Sequence, residues 1–359
     1  MKIALVTLDY PPERGGVARY LGNLVIASGG TIDVFVNKTH PTTGPGRVEA
    51  LSLITRGPFP WWPMIWQLYR LKRRGYDHIF LSHATPVGTA AWIARWFGGL
   101  PFTVLLHGLD LRLALCSKRK AWILKRVLKA AHKVITNSVF VAEEVRIVTP
   151  GIDSVVLTPA VESMVFPDRE RVRRQYGLVE SDLVLLCVTR LVTRKGIDRI
   201  IEALGGLPSA IRLVVIGDGQ DYERLQAAAV TQAVKERVTF LRKASDEERN
   251  AWYSAADIFI LPVRDEGNDV EGFGIVYLEA ALAGLPVIAG RSGGAGEAIR
   301  DGETGILVDP NDKRAIAEAI QSLYDHPDQR KRFGEAGRAW VTRDFRWQDR
   351  WQTLKTWLS

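Results

Sequence analysis

Short apolar runs rich in β-branched residues alternate with amphipathic stretches along most of this 359-residue chain. In the first half, the predicted strands are Lys2–Leu8, Ile32–Val36, His78–Ser82, Phe102–Leu106 and Lys133–Asn137. The predicted helices between them are Val17–Ser28, Met64–Arg74, Val87–Phe97, Arg119–Ala131 and Val139–Val148. Because strands that alternate with helices pair in parallel and are covered on both faces, this half predicts an α/β fold.

The same alternation returns in the second half of the chain. Its predicted strands are Leu183–Thr189, Arg212–Ile216, Val238–Phe240, Ile258–Leu261 and Pro286–Ala289. Its predicted helices are Ile197–Leu204, Tyr222–Val234, Asp246–Ala255, Ile275–Ala283 and Lys313–Asp325. Since a chain of this length exceeds one compact core, we predict two Rossmann-like, doubly wound domains facing a cleft. In such sheets ligands bind beyond the carboxyl ends of the strands.

Composition suggests where the domains divide. Pro159 and Pro167 bracket a stretch of mixed polarity, and a charged segment follows it. We assign residues 1–162 to the first domain, 163–182 to a linker, 183–340 to the second domain and 341–359 to a C-terminal helix. Aromatic and leucine side chains recur in this last segment at spacings of two to four residues, which is typical of a helix with one apolar face.

The net charge of +8 is unevenly distributed. Residues 1–160 hold 20 lysines and arginines against 9 aspartates and glutamates, whereas residues 161–359 hold 28 against 31. Two basic segments of the first half, Pro58–Arg74 and Lys118–Lys129, place tryptophans beside lysine and arginine at helical spacing, as interfacial helices do on anionic lipids. We therefore expect peripheral contact with an anionic membrane. The alternative is that the apolar residues face the core and the basic residues are merely solvated.

Other bulk features fit a protein of the cytoplasm. No uninterrupted run of about 18 apolar residues occurs, so no transmembrane helix is predicted. The first residues have the pattern of a strand rather than of a signal peptide. The two cysteines, Cys116 and Cys187, do not have the spacing of a zinc site or a disulfide framework, which fits a reducing compartment. We expect a cytoplasmic location at the inner face of the membrane.

The segment Asp269–Glu279 carries the most specific chemistry. Glu271 lies on a turn whose glycines permit positive φ and close approach to a ligand. From Ile275 onward the residues are apolar nearly all round, which predicts a buried helix with Glu279 in its interior. The helix N-terminus offers unpaired N–H groups to an anion. Two carboxylates beside an anion site suit a phosphorylated sugar ligand.

Two loops that follow strands in the first half are further candidates. Gly15 and Gly16 open the first predicted helix, where backbone N–H groups can meet a phosphate, although a flexible turn is an equal alternative. His107 stands at the carboxyl end of a predicted strand. It can donate to a hydroxyl or a phosphate there, or bond a carbonyl as a structural histidine.

A third loop offers positive charge after the strand Leu183–Thr189. Arg190 and Lys195 precede a glycine that starts a helix. An arginine can bind phosphate oxygens in a bidentate manner while a lysine supplies a point charge, so this loop suits a diphosphate. The alternative is a solvated basic loop that includes Arg194.

In their order and spacing, these motifs resemble the retaining glycosyltransferases of family 4, which have the GT-B fold. The motifs that carry the resemblance are Gly15-Gly16, His107-Gly108, Arg190-Leu-Val-x-x-Lys-Gly-x-Asp198 and Asp269-Val-Glu-Gly-x-Gly-Ile-Val-Tyr-Leu-Glu-Ala280. The last motif is similar to that of the bacterial phosphatidylinositol mannosyltransferases and related mannosyltransferases. The resemblance implies that the first domain binds the acceptor, that the second binds the nucleotide sugar, and that the C-terminal helix crosses back onto the first domain.

The resemblance also implies contacts with the transferred sugar. Glu271 would bind the hexose hydroxyls, and the amides of Phe273, Gly274 and Ile275 would help to hold the ring. His107 would touch the sugar near its reacting carbon.

The nucleotide would have contacts of its own. The resemblance implies that Arg190 and Lys195 bind the diphosphate, that Gly15–Gly16 approach it from the first domain, and that Glu279 binds the ribose diol. The base would lie against the backbone of Leu241, Arg242 and Lys243.

These expectations combine into one predicted reaction. A hexose, with mannose favoured, passes from a nucleotide diphosphate sugar to a hydroxyl of a lipid-linked or other glycan acceptor, with retention of configuration. By resemblance alone GDP-mannose is favoured as the donor over a UDP sugar. No metal, no other cofactor and no nucleic-acid partner is expected.

Four alternatives remain open at this point. The first is a UDP-sugar-dependent transferase with a soluble acceptor. The second and third are an epimerase and a phosphorolytic enzyme on the same scaffold. The last is a polyanion-binding protein with an inactive sugar site.

Overall fold

The computed structural model describes residues 1–13, 15–57, 59–267 and 269–358. The chain divides into two compact units, Met1–Ala160 with Trp347–Ser359, and Val161–Arg346. Pro58, with which the first basic segment begins, and Ser359, at the end of the predicted C-terminal helix, lie outside the described residues.

The first unit alternates strands with helices, as the sequence predicts. Its strands are β1 Ile3–Val6, β2 Ile32–Asn37, β3 Val48–Leu51, β4 His78–Leu81, β5 Phe102–Leu106, β6 Lys133–Thr136 and β7 Ser154–Val156. Its helices in the same stretch are α1 Gly16–Ala27, α2 Trp62–Arg73, α3 Val87–Trp96, α4 Leu109–Leu115, α5 Lys118–Ala130 and α6 Val139–Val148.

The seven strands of the first unit form one parallel sheet in the order β3-β2-β1-β4-β5-β6-β7. The central strands are apolar and fully buried, because helices cover both faces of a sheet that is connected by crossovers. The strand order reverses between β1 and β4, which are hydrogen-bonded neighbours. Their carboxyl ends therefore form the switch point at which open α/β sheets bind ligands.

The second unit repeats the same plan. Its strands are β8 Leu183–Val188, β9 Ile211–Ile216, β10 Val238–Leu241, β11 Ile258–Leu261, β12 Val287–Gly290 and β13 Gly305–Val308. Its helices are α7 Arg169–Gln175, α8 Ile197–Leu204, α9 Tyr222–Thr231, α10 Asp246–Ala255, α11 Ile275–Leu282, α12 Lys313–Asp325 and α13 Pro327–Asp344. The parallel sheet has the order β10-β9-β8-β11-β12-β13, with its switch point between β8 and β11. The predicted α/β class with two doubly wound sheets is thus confirmed.

The segment 163–182 differs from the linker that the sequence predicts. It contains α7, which packs against α10 within the second unit. Arg173 is 7% exposed and donates to the carbonyl oxygens of Ala255, Val179 and Asp182 at 2.8–3.0 Å. Such an arginine ties α7 to the sheet, so the helix is part of the second unit rather than a connector.

The end of the chain returns to the first unit. The last helix, α14 Trp347–Leu358, packs against α1. The rings of Trp347 and Tyr20 meet edge to face at 5.2 Å, and Arg350 donates to the carbonyl oxygen of Thr158 at 3.0 Å. Among the described residues, no helix combines the length and the apolar character that a transmembrane span requires.

Candidate active site

Two loops leave adjacent strands at the switch point of the second sheet. One follows β8 and contains a 3₁₀ turn, Thr193–Lys195, and the other follows β11 and leads into α11. The backbone N–H of Arg264 donates to the carbonyl oxygen of Arg194 at 2.8 Å, which joins the two loops. Side chains that are far apart in sequence therefore meet at this edge.

A compact charge cluster forms where these loops meet. Arg194 Nη1 donates to Glu271 Oε2 at 2.9 Å, and Lys195 Nζ donates to the same oxygen. Arg194 Nε lies 2.8 Å from Asp269 Oδ1. The side chains of Arg194, Lys195 and Glu271 are 9%, 10% and 15% exposed. Burial strengthens the Coulombic attraction within the cluster, and the loss of one partner would leave an uncompensated buried charge.

The cluster fixes the ionisation of its carboxylate. Burial by itself raises the pKa of Glu271, but the attraction of Lys195 and Arg194 outweighs it and lowers the pKa to about 2. The pKa of Lys195 is lowered by burial and by repulsion from Arg194, against the attraction of Glu271. Two cations bind the same oxygen of Glu271, and this keeps the carboxylate ionised.

Glycines hold the backbone that presents the cluster. Gly196, directly after Lys195, has φ +70°, and a Cβ there would lie 2.2 Å from the carbonyl oxygen of Pro262. A Cβ on Gly293 would lie 2.5 Å from the carbonyl oxygen of Glu271. Only glycine fits such positions, so the close approach of neighbouring loops depends on these residues.

The structure contradicts one of the two interpretations of the loop after β8, that of a solvated basic loop. Arg194 belongs to the cluster and is buried, so the alternative of a solvated basic loop is wrong for this residue and for Lys195. Arg190, in contrast, is exposed, and within the described part of the chain no acid pairs with it. The charge of Lys195 is thus neutralised by Glu271, whereas the charge of Arg190 is open to a ligand.

Helix α11 begins beside Glu271. Gly274 is its N-cap with φ +91°, Phe273 is buried, and Gly274 and Ile275 are partly exposed. Glu279 lies one turn inside the helix, is 1% exposed and accepts a hydrogen bond from Tyr253 at 3.0 Å.

The segment expected to meet the base lies two strands from the cluster. Leu241 ends β10, the edge strand beyond β9, and is half-buried, whereas Arg242 and Lys243 are exposed. Arg242 pairs with Asp218 at 2.8 Å. Because neighbouring strands are about 4.8 Å apart, β10 ends roughly 10 Å from β8, a separation that a nucleotide can span.

In the first unit, the two expected phosphate-loop glycines face open space. Gly15 is the N-cap of α1 with φ −176°, an extended conformation that any residue adopts. A Cβ on Gly15 or on Gly16 would meet no atom of the described residues within 4 Å. The protein itself therefore does not require glycine at either position, and the space beside them can admit a ligand.

His107 follows β5 at the same edge of the first sheet. Its backbone N–H donates to Asp110 Oδ1 at 3.0 Å, and its ring meets that of Tyr20 edge to face at 5.1 Å. Burial lowers the pKa of His107 to about 3, so the ring is neutral at physiological pH. Within the described residues, Nε2 has no hydrogen-bond partner, which leaves one polar atom for a ligand.

Two protein-family models match the chain, one for each half. The model described as Glycosyltransferase Family 4 matches residues 14–162, and the model described as Glycosyl transferases group 1 matches residues 168–340. Together they cover most of both units, and they leave out β1 and the last helix.

Two curated proteins are similar along almost their whole length. The chain is 34% identical to the GDP-mannose-dependent alpha-(1-6)-phosphatidylinositol monomannoside mannosyltransferase of Mycolicibacterium smegmatis, over 99% of this chain and 97% of the relative. It is 30% identical to the GDP-mannose-dependent monoacylated alpha-(1-6)-phosphatidylinositol monomannoside mannosyltransferase of Corynebacterium glutamicum, over 97% and 95%. Among solved structures, a sucrose-phosphate synthase from Thermosynechococcus elongatus shares the fold, with a TM-score of 0.83, 24% identity and coverage of 99% and 97%.

Proposed function

The chain belongs to the family 4 glycosyltransferases, and we propose that it transfers mannose from GDP-mannose to a hydroxyl of a phosphatidylinositol-linked mannoside, with retention of configuration. The mycobacterial and corynebacterial relatives are named for this donor and for acceptors of this class. The observation that carries the proposal is the ionised Glu271, held by two buried cations at the switch point of the second sheet. A carboxylate in this state accepts hydrogen bonds from sugar hydroxyls and stays charged throughout the physiological pH range.

The diphosphate needs positive charge that the protein has not already neutralised. Arg190 is exposed and open to it, and the N-terminus of α11 adds amide groups and the positive end of a helix dipole. Lys195 is held beside Glu271, where it can face a phosphate and a sugar hydroxyl together. As the bond from sugar to phosphate breaks, these groups stabilise the negative charge that develops on the leaving diphosphate.

The sugar carbon becomes positively charged in the same step. A neutral His107 does not repel that charge, whereas an imidazolium would. Its unpartnered Nε2 supplies one polar contact to the sugar ring. The leaving phosphate oxygen takes the proton of the acceptor hydroxyl on the same face of the sugar, so the reaction needs no protein nucleophile and keeps the anomeric configuration.

A first experiment tests the donor. Thermal unfolding of the purified chain is followed with GDP, UDP, GDP-mannose and UDP-glucose, because a ligand that binds the folded protein raises its melting temperature. We expect GDP and GDP-mannose to stabilise the protein and UDP compounds to have a smaller effect. A larger stabilisation by UDP compounds would contradict the proposed donor.

A second experiment tests the cluster. We expect Lys195→Ala to lower turnover of GDP-mannose with an acceptor by at least ~100-fold, which corresponds to about 2.7 kcal/mol of barrier. Lys235→Ala removes an exposed lysine at the opposite edge of the same unit and is the matched control. Product analysis must show free GDP and a mannosylated acceptor. A Lys195→Ala variant with a near wild-type rate would refute the role of this residue.

A lipid acceptor requires the enzyme to reach a membrane, and one surface of the first unit fits this task. We define the tryptophan surface as Trp62, Trp66, Trp96 and Trp122, whose exposed fractions are 70%, 63%, 73% and 52%. They lie on α2, α3 and α5, and these helices pack side by side. The cations of α5 are Lys118, Arg119, Lys120, Lys125, Arg126 and Lys129. Exposed tryptophans beside such a row of cations are typical of binding at the interface of an anionic membrane.

This surface can be tested on vesicles. We expect the double variant Trp62→Ala/Trp66→Ala to bind anionic phospholipid vesicles at least ~5-fold more weakly, with little change in melting temperature because both rings are solvated. Ile147→Ala, which changes a side chain 75% exposed on α6, is the matched control. Equal vesicle binding by the wild-type chain and the double variant would contradict docking through the tryptophan surface.

A further inference from the structure

A carboxylate and a histidine meet at the switch point of the first sheet. Asp9 follows β1 and His83 follows β4, the two strands between which the strand order reverses. His83 Nε2 lies 3.2 Å from Asp9 Oδ2, so the pair spans the two strand ends. The reaction described above uses neither residue, although ligands of open parallel sheets bind at this position.

A chain of hydroxyl groups anchors the pair. His83 Nδ1 lies 2.6 Å from Ser82 Oγ, and Ser82 Oγ lies 2.7 Å from Thr7 Oγ1. Thr7 Oγ1 donates to the carbonyl oxygen of Asp9 at 2.8 Å and accepts from the backbone N–H of Asp9 at 3.1 Å. Thr7 and Ser82 are fully buried, which shields this network from competing water.

The direction of each hydrogen bond follows from these contacts. A carbonyl oxygen can only accept, so the single hydrogen of the Thr7 hydroxyl is used on Asp9. Ser82 must then donate to Thr7, and His83 Nδ1 must donate to Ser82, so Nε2 donates to Asp9 when both ring nitrogens carry a proton. The ring is thereby fixed with Nε2 directed at the carboxylate of Asp9.

The carboxylate has one oxygen left for a ligand. Oδ2 of Asp9 faces His83, whereas Oδ1 has no recorded partner among the described residues, and the side chain is 44% exposed. The hydrogen bond from His83 lowers the pKa of Asp9 against the effect of burial. An ionised carboxylate accepts hydrogen bonds from hydroxyls and repels phosphates.

We propose that Asp9 binds a hydroxyl of the acceptor's sugar or cyclitol ring, and that His83 is the positioning residue that fixes this carboxylate through Ser82 and Thr7. The inference rests on the proposed function. It adds the chemical class of the acceptor group that binds at this edge of the first sheet. The carboxylate contacts the polyol part of the acceptor, and a phosphodiester on the same molecule must lie elsewhere.

The test separates acceptor binding from donor binding. The purified full chain is assayed with GDP-mannose and phosphatidylinositol monomannoside in detergent micelles, and GDP affinity is measured by thermal shift. We expect Asp9→Asn to raise the acceptor KM at least ~10-fold while the affinity for GDP stays within about twofold. Asp153→Asn, at the opposite edge of the same sheet, is the matched control and should leave both quantities unchanged.

The positioning role has its own readout. His83→Ala should raise the acceptor KM by roughly the same factor as Asp9→Asn, whereas His83→Gln, whose amide can still donate to the carboxylate, should restore most of the loss. His132→Gln is the matched control. Because Asp9 and His83 are partly exposed, these variants should keep the wild-type melting temperature.

Two results would overturn the inference alone. One is an Asp9→Asn variant with a wild-type acceptor KM, and the other is an equal loss of GDP affinity and acceptor affinity, which indicates a structural role. Failure of the wild-type chain to cleave any nucleotide sugar would instead overturn the proposed function, and this inference with it.

Discussion

Replacement of Glu271 by glutamine removes the charge on which two buried cations depend. The carboxyl group has its pKa lowered from 4.5 to about 2, and a difference of this size corresponds to about 3 kcal/mol of stability. Its side chain is only 15% exposed, so solvent screening reduces this value little. We therefore expect Glu271→Gln to lower the free energy of unfolding of the second unit by about 3 kcal/mol near neutral pH.

The pH dependence of this difference has a definite sign. A carboxyl group with a lowered folded-state pKa stabilises the protein above its unfolded-state pKa, and the stabilisation is lost as the pH falls through the folded-state value. The gap between wild type and Glu271→Gln should thus be about 3 kcal/mol at pH 6 and about half of that at pH 3, and it should vanish below pH 2.

Urea unfolding followed by tryptophan fluorescence measures the gap at each pH. Glu303→Gln, which changes a carboxylate 67% exposed in an i,i+3 pair with Arg300, is the matched control and should shift stability by less than ~0.5 kcal/mol. A gap below about 1 kcal/mol at pH 6, or one that does not change between pH 6 and pH 3, would refute the buried ion-pair cluster as we describe it.

Three further changes probe other parts of the molecule. Gly16→Ala should leave the unfolding free energy within ~0.5 kcal/mol of wild type, because its Cβ enters open space, but should weaken GDP binding at least ~10-fold in a thermal-shift titration. Gly196→Ala should cost at least ~2 kcal/mol in urea unfolding, since a Cβ at φ +70° would strike the carbonyl of Pro262; a smaller loss would contradict the loop geometry. Arg173→Ala should destabilise the second unit by about 3 kcal/mol, whereas the exposed Arg174→Ala should not, and equal stability of both variants would show that α7 is only a connector.

Most of the strands and helices could be predicted from the sequence. All ten strands and ten helices predicted in the two halves are present, because continuous apolar runs and amphipathic stretches mark them. The three unpredicted strands, β3, β7 and β13, all lie at the edge of a sheet. The strands Val48–Leu51 and Ser154–Val156 are short and partly solvated, so their composition does not distinguish them from loops.

One missed helix has a different cause. Helix α13 is rich in charge, and two of its four buried residues, Phe333, Gly334, Gly337 and Val341, are glycines. A Cβ on Gly334 would lie 2.0 Å from the carbonyl oxygen of Gly284, so the helix backbone packs directly against the chain at the end of α11. Glycine lowers helix propensity, and glycines on the buried face interrupt the periodic pattern of apolar residues that would predict a helix.

The candidate site shows the same limit. Glu271 and Lys195 could be selected from local motifs, because glycines mark the turns that present them. Arg194 could not, because its importance comes from a carboxylate 77 positions away. The network of Asp9, Ser82 and His83 could not be predicted either. It forms because two strand ends are neighbours in the sheet, and the spacing of these residues in the sequence does not indicate that proximity.

The return of α14 to the first unit has a consequence for biosynthesis. A ribosome makes residues 1–160 first, yet the helix that covers Tyr20 on α1 leaves the exit tunnel only after the whole of 161–346 has been translated. The second unit is continuous and can complete its fold as soon as it emerges. Until α14 has been translated, the nascent first unit exposes the apolar face of α1 that α14 covers. The unit that is synthesised first therefore completes its fold last.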